Sequence, residues 1–282
     1  MGGPSKRKIR GNNFAIKGAV GRGRGKNTKY FLNLEKRNYN IKYIKKLITE
    51  SGSEETNPCK ILKEQQNFYK GLYSSRNLER TTSEAFLKNL KTPQLKNSDM
   101  NLCDDKISTE EIAKALKNLP NDKTPGSDGF STNFYKLFGA DIKHLLTDSF
   151  VYTFENGHLS NDQKRAIINL IPKEGKDLRY LKNWRPISLL NADYKVLTKV
   201  LSNRLQQVLP SLIHPDQTGC IKGRYTGQNI QTIKNLMSYT RNSSSSGYLL
   251  LAYFEKAFDS FEWSFMVKCL DQYNFGKILS DF

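Results

Sequence analysis

The amphipathic helical pattern over residues 193–209 sets the first requirement on the fold. Lys195, Lys199 and Arg204 fall outside the apolar stripe of this pattern, which predicts an amphipathic helix. Six aliphatic side chains form this stripe: Leu197, Val200, Leu201, Leu205, Val208 and Leu209. This apolar side needs cover from other elements, and a chain of 282 residues can bury a core of that size in one large or two smaller domains.

Three other segments predict helices. Ser108 and Glu111 have the spacing of a capping box, and helical periodicity continues from there to Pro120. The turn-rich loop NDKTPGSDGFS then leads into a predicted helix over residues 133–157. Residues 60–75 carry four apolar side chains on one side of a predicted helix: Ile61, Leu62, Phe68 and Leu72.

Two short apolar runs predict strands. RAIINLIP, residues 165–172, ends at a proline, and GYLLLAYF, residues 247–254, follows a serine-rich loop. The predicted fold class is α+β, with helices packed on short antiparallel strands.

The charge of the chain points to a polyanionic partner. Forty-five Lys and Arg against 27 Asp and Glu give a formal net charge of +18, which disfavours a compact monomer through self-repulsion. Nucleic acid is the leading partner, and a ribosomal-type or simply basic protein is the alternative. An acidic membrane surface ranks lower, because no stretch approaches the ~20 apolar residues of a spanning helix.

The N-terminal arm, residues 1–27, contains eight Lys or Arg and no acid. Its low apolar content predicts disorder in the free chain. Lys6, Arg7, Lys8 and Arg10 form its best patch for gripping nucleic acid or for nuclear import, and an unselected extension is an equal alternative. The four cysteines are scattered without metal-ligand spacing, and no secretory signal is evident. We therefore expect an intracellular protein, in the cytoplasm, the nucleus or both.

Several blocks in the sequence, taken in order, resemble the reverse transcriptase of non-LTR retrotransposons of the LINE-1 type. They are NTKYFLNLEKRN, ILKEQQNFYKGLYSS, KTPGSDGFSTNFYK, LIPKEGKDLRYLKNWRPISLLNADYKVLTKVLSNRLQQVLP, HPDQTGCIKGRYTGQN and FEKAFDSFEW. The resemblance covers residues 27–282, and the ordered set is far more specific than any single block. It implies a basic arm (1–27), a helical N-terminal extension (28–120) and a truncated polymerase domain (121–282). This domain would be a partial right hand made of fingers and the start of the palm.

The resemblance implies two groups of nucleotide and nucleic-acid contacts. A polymerase holds the triphosphate of the incoming nucleotide with Lys and Arg, and Lys173 and Arg185 match the family positions in a fingers hairpin that do so. Packing against a neighbouring tryptophan is the alternative for Arg185. Lys222 and Arg224 match a template-side element as phosphate contacts. The family usually has Phe at the position of Cys220, so about 1–3 kcal/mol of stacking or burial is lost there.

Tyr253 stands where the resemblance places the first metal-binding aspartate of the palm. The family motif Asp-x-x-Lys-Ala-Phe-Asp aligns with residues 253–259, and Phe258 takes the position that screens the sugar 2′ group. The two-metal mechanism holds Mg²⁺ ions about 3.5–4 Å apart with anionic oxygens. A phenol with a pKa of about 10 is neutral at physiological pH and is a poor ligand. Glu255 and Asp259 are alternative ligands, but both lie too far along the chain.

The sequence also ends at Phe282, before the second palm motif, the paired-aspartate motif and the thumb of the family. We therefore expect a fragment of an RNA-directed DNA polymerase that is itself inactive. It should need no cofactor, although active family members use Mg²⁺. Its expected partner is an RNA template or DNA, with at most weak dNTP binding and no membrane. The alternatives are a non-catalytic RNA-binding protein and a pseudogene product that does not fold.

Overall fold

The computed structural model describes residues 44–75, 80–243 and 246–276. The predicted arm over residues 1–27, with Lys6, Arg7, Lys8 and Arg10, lies outside them. The chain forms two compact units that interleave along the sequence. Unit 1 comprises Met1–Ser74, Pro120–Leu137 and Leu159–Lys195, and unit 2 comprises Ser75–Leu119, Phe138–His158 and Val196–Phe282. Both units draw residues from the predicted extension and from the predicted polymerase domain, whose boundary at residue 120 stays a prediction.

The described residues form nine α-helices and two small antiparallel sheets, which agrees with the predicted mixture of helices and short strands. The helices are α1 Pro58–Leu72, α2 Arg80–Lys88, α3 Asn97–Asp104, α4 Thr109–Asn118, α5 Thr132–Leu137, α6 Gly139–Asn156, α7 Ala192–Leu212, α8 Gly227–Asn242 and α9 Trp263–Gln272. The strands are β1 Leu47–Ile48, β2 Glu54–Glu55, β3 Ala166–Pro172 and β4 Trp184–Leu190. No helix among the residues in these described ranges is long and apolar enough to cross a membrane.

Unit 1 is built around α1 and the β3–β4 hairpin. Helix α1 begins at Pro58, and the side chain of Asn57 caps it by accepting bonds from two backbone N–H groups of the first turn. Ile61 of this helix packs with Leu47 and Leu181 in a small buried cluster. Leu181 lies in the loop between β3 and β4, three residues before β4, so the cluster joins the N-terminal segment to the loop of the hairpin.

The β3–β4 hairpin has a clear inner and outer face. Ala166 pairs with Leu190 and Pro172 with Trp184, which places the buried Ala166, Ile168 and Trp184 on one face. The other face carries the pair of Ile171 and Arg185. The Trp184 ring is 1% exposed, and its Nε1–H donates to the carbonyl oxygen of Leu178 at 2.8 Å. This hydrogen bond satisfies the only polar atom of a large buried side chain.

Unit 2 is held by α4 and by most of α7. The capping box predicted at Ser108 and Glu111 is present, with both of its hydrogen bonds formed. Most of the predicted stripe of α7 is buried, as expected from its periodicity, and Leu205 and Leu209 are partly buried. Val208 and Leu212 contribute to a core cluster with Leu95, Cys103 and Phe275. Burial raises the pKa of the Cys103 thiol to about 11, so this cysteine is an apolar core residue rather than a reactive thiol.

Two sequence predictions in these units are wrong in detail. The helix predicted over residues 133–157 is two helices, because α5 ends at Leu137 and α6 begins at Gly139. Phe138 between them has φ −98° and ψ 15°, outside helical geometry, and glycine next to it has a low helix propensity. The Arg204 side chain is also not on the outside of α7, since it is only 5% exposed.

The strand predicted over residues 247–254 is absent. Residues 246–254 have no regular secondary structure, and the sheets of the described residues contain only β1–β2 and β3–β4. A strand requires hydrogen bonds to a neighbour, whatever the β-propensity of its side chains. The apolar side chains of this segment are therefore exposed instead of packed.

Candidate nucleic-acid interface

The loop end of the β3–β4 hairpin brings together Lys173 and Arg185. The N–H of Lys173 donates to the carbonyl oxygen of Asn183 at 2.9 Å, which extends the ladder by one residue beyond β3. Arg185 lies opposite Ile171, two residues before Lys173. Because alternate residues of a strand share a face, Lys173 and Arg185 lie on the same outer face of the hairpin. Arg185 is exposed there, and Lys173 is partly exposed.

The loop between the two strands is fixed by its own hydrogen bonds. Arg179 forms a fork with Asp177, with Nη2 donating to Oδ2 at 2.8 Å. This contact lowers the pKa of Asp177 and raises that of Arg179. The backbone of the loop is also tied to β1, since the N–H of Ile48 donates to the carbonyl oxygen of Arg179 at 2.9 Å. The loop can therefore present its basic side chains from a defined backbone.

The charge of this loop and hairpin is strongly positive. Residues 173–185 contain five basic side chains against Glu174 and Asp177: Lys173, Lys176, Arg179, Lys182 and Arg185. The Nζ of Lys173 donates to the carbonyl oxygen of Lys182 at 2.8 Å, and Lys182 stacks over the ring of Tyr180 with its Nζ 5.4 Å from the centroid. Such a surface suits phosphate groups, which accept bonds from several Lys and Arg donors at once.

The PGSDG loop, residues 125–129, packs against the junction of β4 and α7. Asn191 at this junction is buried, and its Nδ2 donates to the carbonyl oxygen of Asp162 at 3.1 Å. Its Oδ1 faces the loop, with the Ser127 Oγ at 3.4 Å and the Asp128 N at 3.5 Å. A Cβ built on Gly126 would lie 2.1 Å from this Oδ1, so only glycine fits at position 126. The loop is thereby held on the base of the hairpin.

Acidic groups line the PGSDG loop and give it a different character from the hairpin end. Burial raises the pKa of Asp128, and the nearby negative charge of Asp193 raises it further. The hydrogen bond donated by the N–H of Phe130 lowers the pKa and offsets part of this rise. Burial, with the same two carboxyl groups, raises the pKa of Tyr135 to about 12. Lys195 has its pKa lowered by burial, partly offset by Asp128. Carboxyl groups repel phosphate, so this loop supports the hairpin without itself offering an anion site.

Arg224, in unit 2, closes the C-terminal end of α7. Its Nη1 donates to the carbonyl oxygens of His214 and Gln217, at 2.6 and 2.9 Å. Its Nη2 donates to those of Pro210 and Ile213, at 3.0 and 2.8 Å. A cation that binds the last carbonyl groups of a helix also interacts favourably with the helix dipole. These hydrogen bonds give Arg224 a structural role, because they hold the segment after α7 against the end of that helix. The expectation that Arg224 contacts phosphate stays a prediction.

Lys222 and Cys220 lie in the same irregular segment as Arg224. Lys222 is exposed, as a phosphate contact requires, and its role stays a prediction. Cys220 is exposed and has φ 62°, in the left-handed region that side chains with a Cβ seldom adopt. The loss of stacking or burial expected from the absence of Phe at this position stays a prediction.

Tyr253 and Phe258 project into solvent from the extended segment and the turn that follows it. Tyr253 is 91% exposed and Phe258 is 100% exposed. Lys256 between them has φ 51° and lies in a turn. Within residues 44–75, 80–243 and 246–276, no group of three or more His, Cys, Asp or Glu side chains has an arrangement that could hold a metal ion. The roles expected for positions 253 and 258 are not tested by this geometry.

Sequence reasoning missed Gly126 and Asn191, the two residues that join the PGSDG loop to the hairpin. The loop was recognised as turn-rich and as part of one block of the resemblance, without a contact for either residue. Asn191 directly precedes α7, and asparagine before a helix is a capping signal, which is the one local sign that this residue has a specific contact. Its actual partners, Ser127 and Asp128, lie more than 60 residues earlier in the chain.

Comparison with known proteins connects this hairpin to one enzyme class. Residues 171–281, which begin in β3, match the family model described as reverse transcriptase (RNA-dependent DNA polymerase). The chain is 34% identical over 253 residues to the uncharacterized 149 kDa protein of transposon TX1 from Xenopus laevis, which covers 88% of this chain and 19% of that protein. It is 29% identical over 167 residues to the retrovirus-related Pol polyprotein of the type-1 retrotransposable element R2 from Popillia japonica, covering 59% of this chain and 22% of that protein.

A third relative is the probable RNA-directed DNA polymerase from transposon BS of Drosophila melanogaster, 30% identical over 131 residues, which are 45% of this chain and 14% of that protein. The family model and these relatives define the class: a reverse transcriptase domain. More particularly, this chain carries reverse transcriptase sequence of a non-LTR retrotransposon. It spans between 14% and 22% of the length of these three relatives.

Proposed function

We propose that this chain is the fingers and first palm segment of a LINE-1-type reverse transcriptase, which grips nucleic acid and the triphosphate of a nucleotide but does not itself polymerise. The observation that carries the proposal is the end of the β3–β4 hairpin, where Lys173 and Arg185 share one exposed face. The relatives named as RNA-directed DNA polymerases support this class of ligand.

The chemistry of the hairpin end suits phosphate better than other anions. An arginine guanidinium offers a planar fork of donors, and a lysine ammonium adds a compact point charge beside it. The backbone of the adjoining loop is held by the Ile48 hydrogen bond to Arg179 and by the cluster around Leu181. A fixed backbone lowers the ordering cost when a ligand binds. The N-terminal segment of unit 1 thus supports the proposed phosphate site by holding its loop in place.

The proposed lack of polymerase activity rests on Tyr253. A neutral phenol offers one weakly basic oxygen where the two-metal mechanism requires a carboxylate that binds both cations. Magnesium would therefore lack one of the anionic oxygens that hold it beside the primer end.

The proposed binding of nucleic acid at the hairpin is tested by fluorescence anisotropy of a labelled structured RNA across a salt series. The double variant Lys173→Ala/Arg185→Ala should bind more weakly than the wild type at every salt concentration. If both side chains contact phosphate, the slope of log K against log salt should fall by about 1.4–1.8 in magnitude, at roughly 0.7–0.9 per lost contact.

A matched control separates a specific grip from general positive charge. Lys60→Ala/Lys63→Ala also removes two positive charges, but from α1 of the same unit, where both side chains are exposed. This control should keep the wild-type slope. Equal loss in the two double variants would mean that RNA binds by net charge alone, and would contradict the proposed site.

Primer extension on an RNA template with Mg²⁺ tests the second half of the proposal. The chain should give no template-dependent product above a no-enzyme control, while an active reverse transcriptase run in parallel confirms the template and primer. Product that requires template and protein would disprove the lack of activity. That result would leave the binding measurements untouched, because the two assays depend on different residues.

A further inference from the structure

Arg179 differs from the other basic side chains of the β3–β4 loop, because a carboxylate already binds it. Its Nε donates to Oδ1 and Oδ2 of Asp177 at 3.1 and 3.2 Å, and its Nη2 donates to Oδ2 at 2.8 Å. Among the salt bridges of the described residues, this is the only one that involves a basic side chain of residues 173–185. The carboxylate therefore takes up the forked donors that would otherwise suit a phosphate group.

The fork between Arg179 and Asp177 stands on backbone that is hydrogen-bonded to the proposed phosphate site. The Nδ2 of Asn183 donates to the carbonyl oxygen of Asp177 at 2.7 Å, and the carbonyl oxygen of Asn183 accepts from the N–H of Lys173 at 2.9 Å. The residue directly before Arg185 donates its indole N–H to the carbonyl oxygen between the two members of the fork, at 2.8 Å. The masked cation and the two exposed cations thus belong to one hydrogen-bonded loop.

A second carboxylate near Arg179 is engaged elsewhere. Asp177 is the main cause of the raised pKa of Arg179, and the negative charge of Glu54 in β2 contributes less. The Oε1 of Glu54 accepts a 2.7 Å hydrogen bond from the Nζ of Lys46, which is the main cause of the lowered pKa of Glu54. Asp177 is therefore the carboxylate that competes directly with an incoming anion for the guanidinium.

The fork is exposed enough for a phosphate to displace the carboxylate. The side chains of Arg179 and Asp177 keep 50% and 39% of their accessible surface. Exposed ion pairs are weak, since water and salt screen the attraction. A nucleic acid presents several phosphates to the loop at once, and each can accept from the same donors as a carboxylate. The exchange nevertheless costs the contact with Asp177, and any such cost lowers the apparent affinity of the site.

We propose that Arg179 is a third phosphate-binding residue of the hairpin site, and that Asp177 limits its use by acting as an internal competing anion. In the free chain the carboxylate occupies the guanidinium, and Lys173 and Arg185 supply the accessible charge. Asp177 thereby sets an upper limit on how tightly the site holds the phosphate backbone of a nucleic acid. This inference rests on the proposed function, because it requires that the hairpin end bind phosphate.

Asp177→Asn in the full chain tests the inference with the anisotropy assay on a labelled structured RNA. The amide oxygen can still accept the N–H of Arg179, which donates to Oδ1 of Asp177 at 3.0 Å, so the turn is retained. The variant should bind RNA about two- to fivefold more tightly than the matched control, the range that an exposed ion pair supports. The slope of log K against log salt should rise in magnitude by roughly 0.7–0.9, for one added phosphate contact.

Glu174→Gln is the matched control. It removes one negative charge from an exposed position of the same loop, outside the fork. This control should change affinity only through net charge and should keep the wild-type slope. Asp177→Ser also removes the carboxylate and retains a turn-forming oxygen, so it should give the same gain as Asp177→Asn. The two variants together guard against a folding defect in either one.

A double-mutant cycle shows whether the gain belongs to Arg179. Arg179→Ala should leave the salt slope unchanged in the wild type, where the carboxylate occupies the guanidinium. In the Asp177→Asn background, the same substitution should lower the magnitude of the slope by roughly 0.7–0.9 and abolish the gain in affinity.

Three results would overturn the inference. Both Asp177 variants could bind no more tightly than Glu174→Gln, both could bind more weakly than the wild type, or Arg179→Ala could lower the slope equally in the two backgrounds. Weaker binding would mean that the fork only holds the loop in shape. Failure of the proposed function is a separate result, shown by a wild-type slope in Lys173→Ala/Arg185→Ala, and the inference would then fall with it.

Discussion

Replacing Arg204 with alanine is expected to lower the free energy of unfolding of unit 2 by about 3–5 kcal/mol. The guanidinium is only 5% exposed and donates Nε and Nη2 to the two carboxylate oxygens of Glu111, both at 2.7 Å. It also donates to the carbonyl oxygens of Cys103, Asp105 and Lys106. The alanine variant would leave a partly buried carboxylate and three carbonyl groups without their donors, and each unsatisfied group carries a desolvation cost.

Urea unfolding followed by circular dichroism measures this loss. Arg241→Ala removes an exposed arginine from α8 in the same unit and should change stability by no more than about 0.5 kcal/mol. Adding Glu111→Gln to Arg204→Ala should recover part of the loss, because the uncompensated charge is then removed as well. A cost for Arg204→Ala no larger than that of Arg241→Ala would show that the buried network contributes little.

The same ion pair predicts how the stability of unit 2 depends on pH. Burial tends to raise the pKa of Glu111, but the hydrogen bonds from Arg204 and from the N–H of Ser108 outweigh it, and the pKa lies below its ordinary value. A carboxyl group whose pKa is lower in the folded state stabilises that state above the unfolded pKa. The contribution of Glu111 should therefore be complete at neutral pH and decline as pH falls through the acidic range below about 4.5.

Arg204 also shows where prediction from the sequence stops. Periodicity correctly predicted α7, and most of the apolar stripe of that helix is buried, because these features depend on residues three or four positions apart. A charged residue off the stripe was assigned to the outside. Its burial depends on Glu111 and on three carbonyl groups about 100 residues earlier, and no local pattern contains that information.

Short sequence patterns correctly predicted the elements whose formation depends on residues close together in the chain. The capping box at Ser108 and the helix over Ile61 follow from a few neighbouring residues, and both are present. The run before Lys173 is the strand that was expected. The partnership of Lys173 with Arg185 came from the resemblance, since their pairing depends on a hairpin register that composition does not specify.

The segment 247–254 failed as a strand prediction for a related physical reason. Its propensity for β structure is high, yet a strand exists only with a partner, and the described residues supply none. The apolar run was therefore predicted as a paired strand, whereas its side chains are exposed in the described part of the chain.

Substituting alanine for Gly126 is expected to destabilise unit 1 by on the order of 3 kcal/mol. The new Cβ would lie 2.5 Å from the backbone N of Asn191 and 2.6 Å from the carbonyl carbon of Leu190, and rotation of a side chain cannot relieve either contact. The loop would have to move away from the junction of β4 and α7. Asn191 would then lose its contacts with Ser127 and Asp128 while remaining buried.

Trp184 offers a reporter for this prediction, because it is buried in unit 1 and the chain has only two tryptophans. In a Trp263→Phe background, urea unfolding followed by tryptophan fluorescence reports on unit 1 alone. Gly71→Ala is the matched control: it lies in α1 with no atom within 4 Å of the added Cβ, and it should stabilise unit 1 by about 0.5–1 kcal/mol. The two glycine substitutions should therefore shift the urea midpoint in opposite directions. A Gly126→Ala midpoint equal to or above that of the parent would mean that the PGSDG loop is not held against Asn191, and the support proposed for the hairpin would then have to come from the cluster around Leu181 alone.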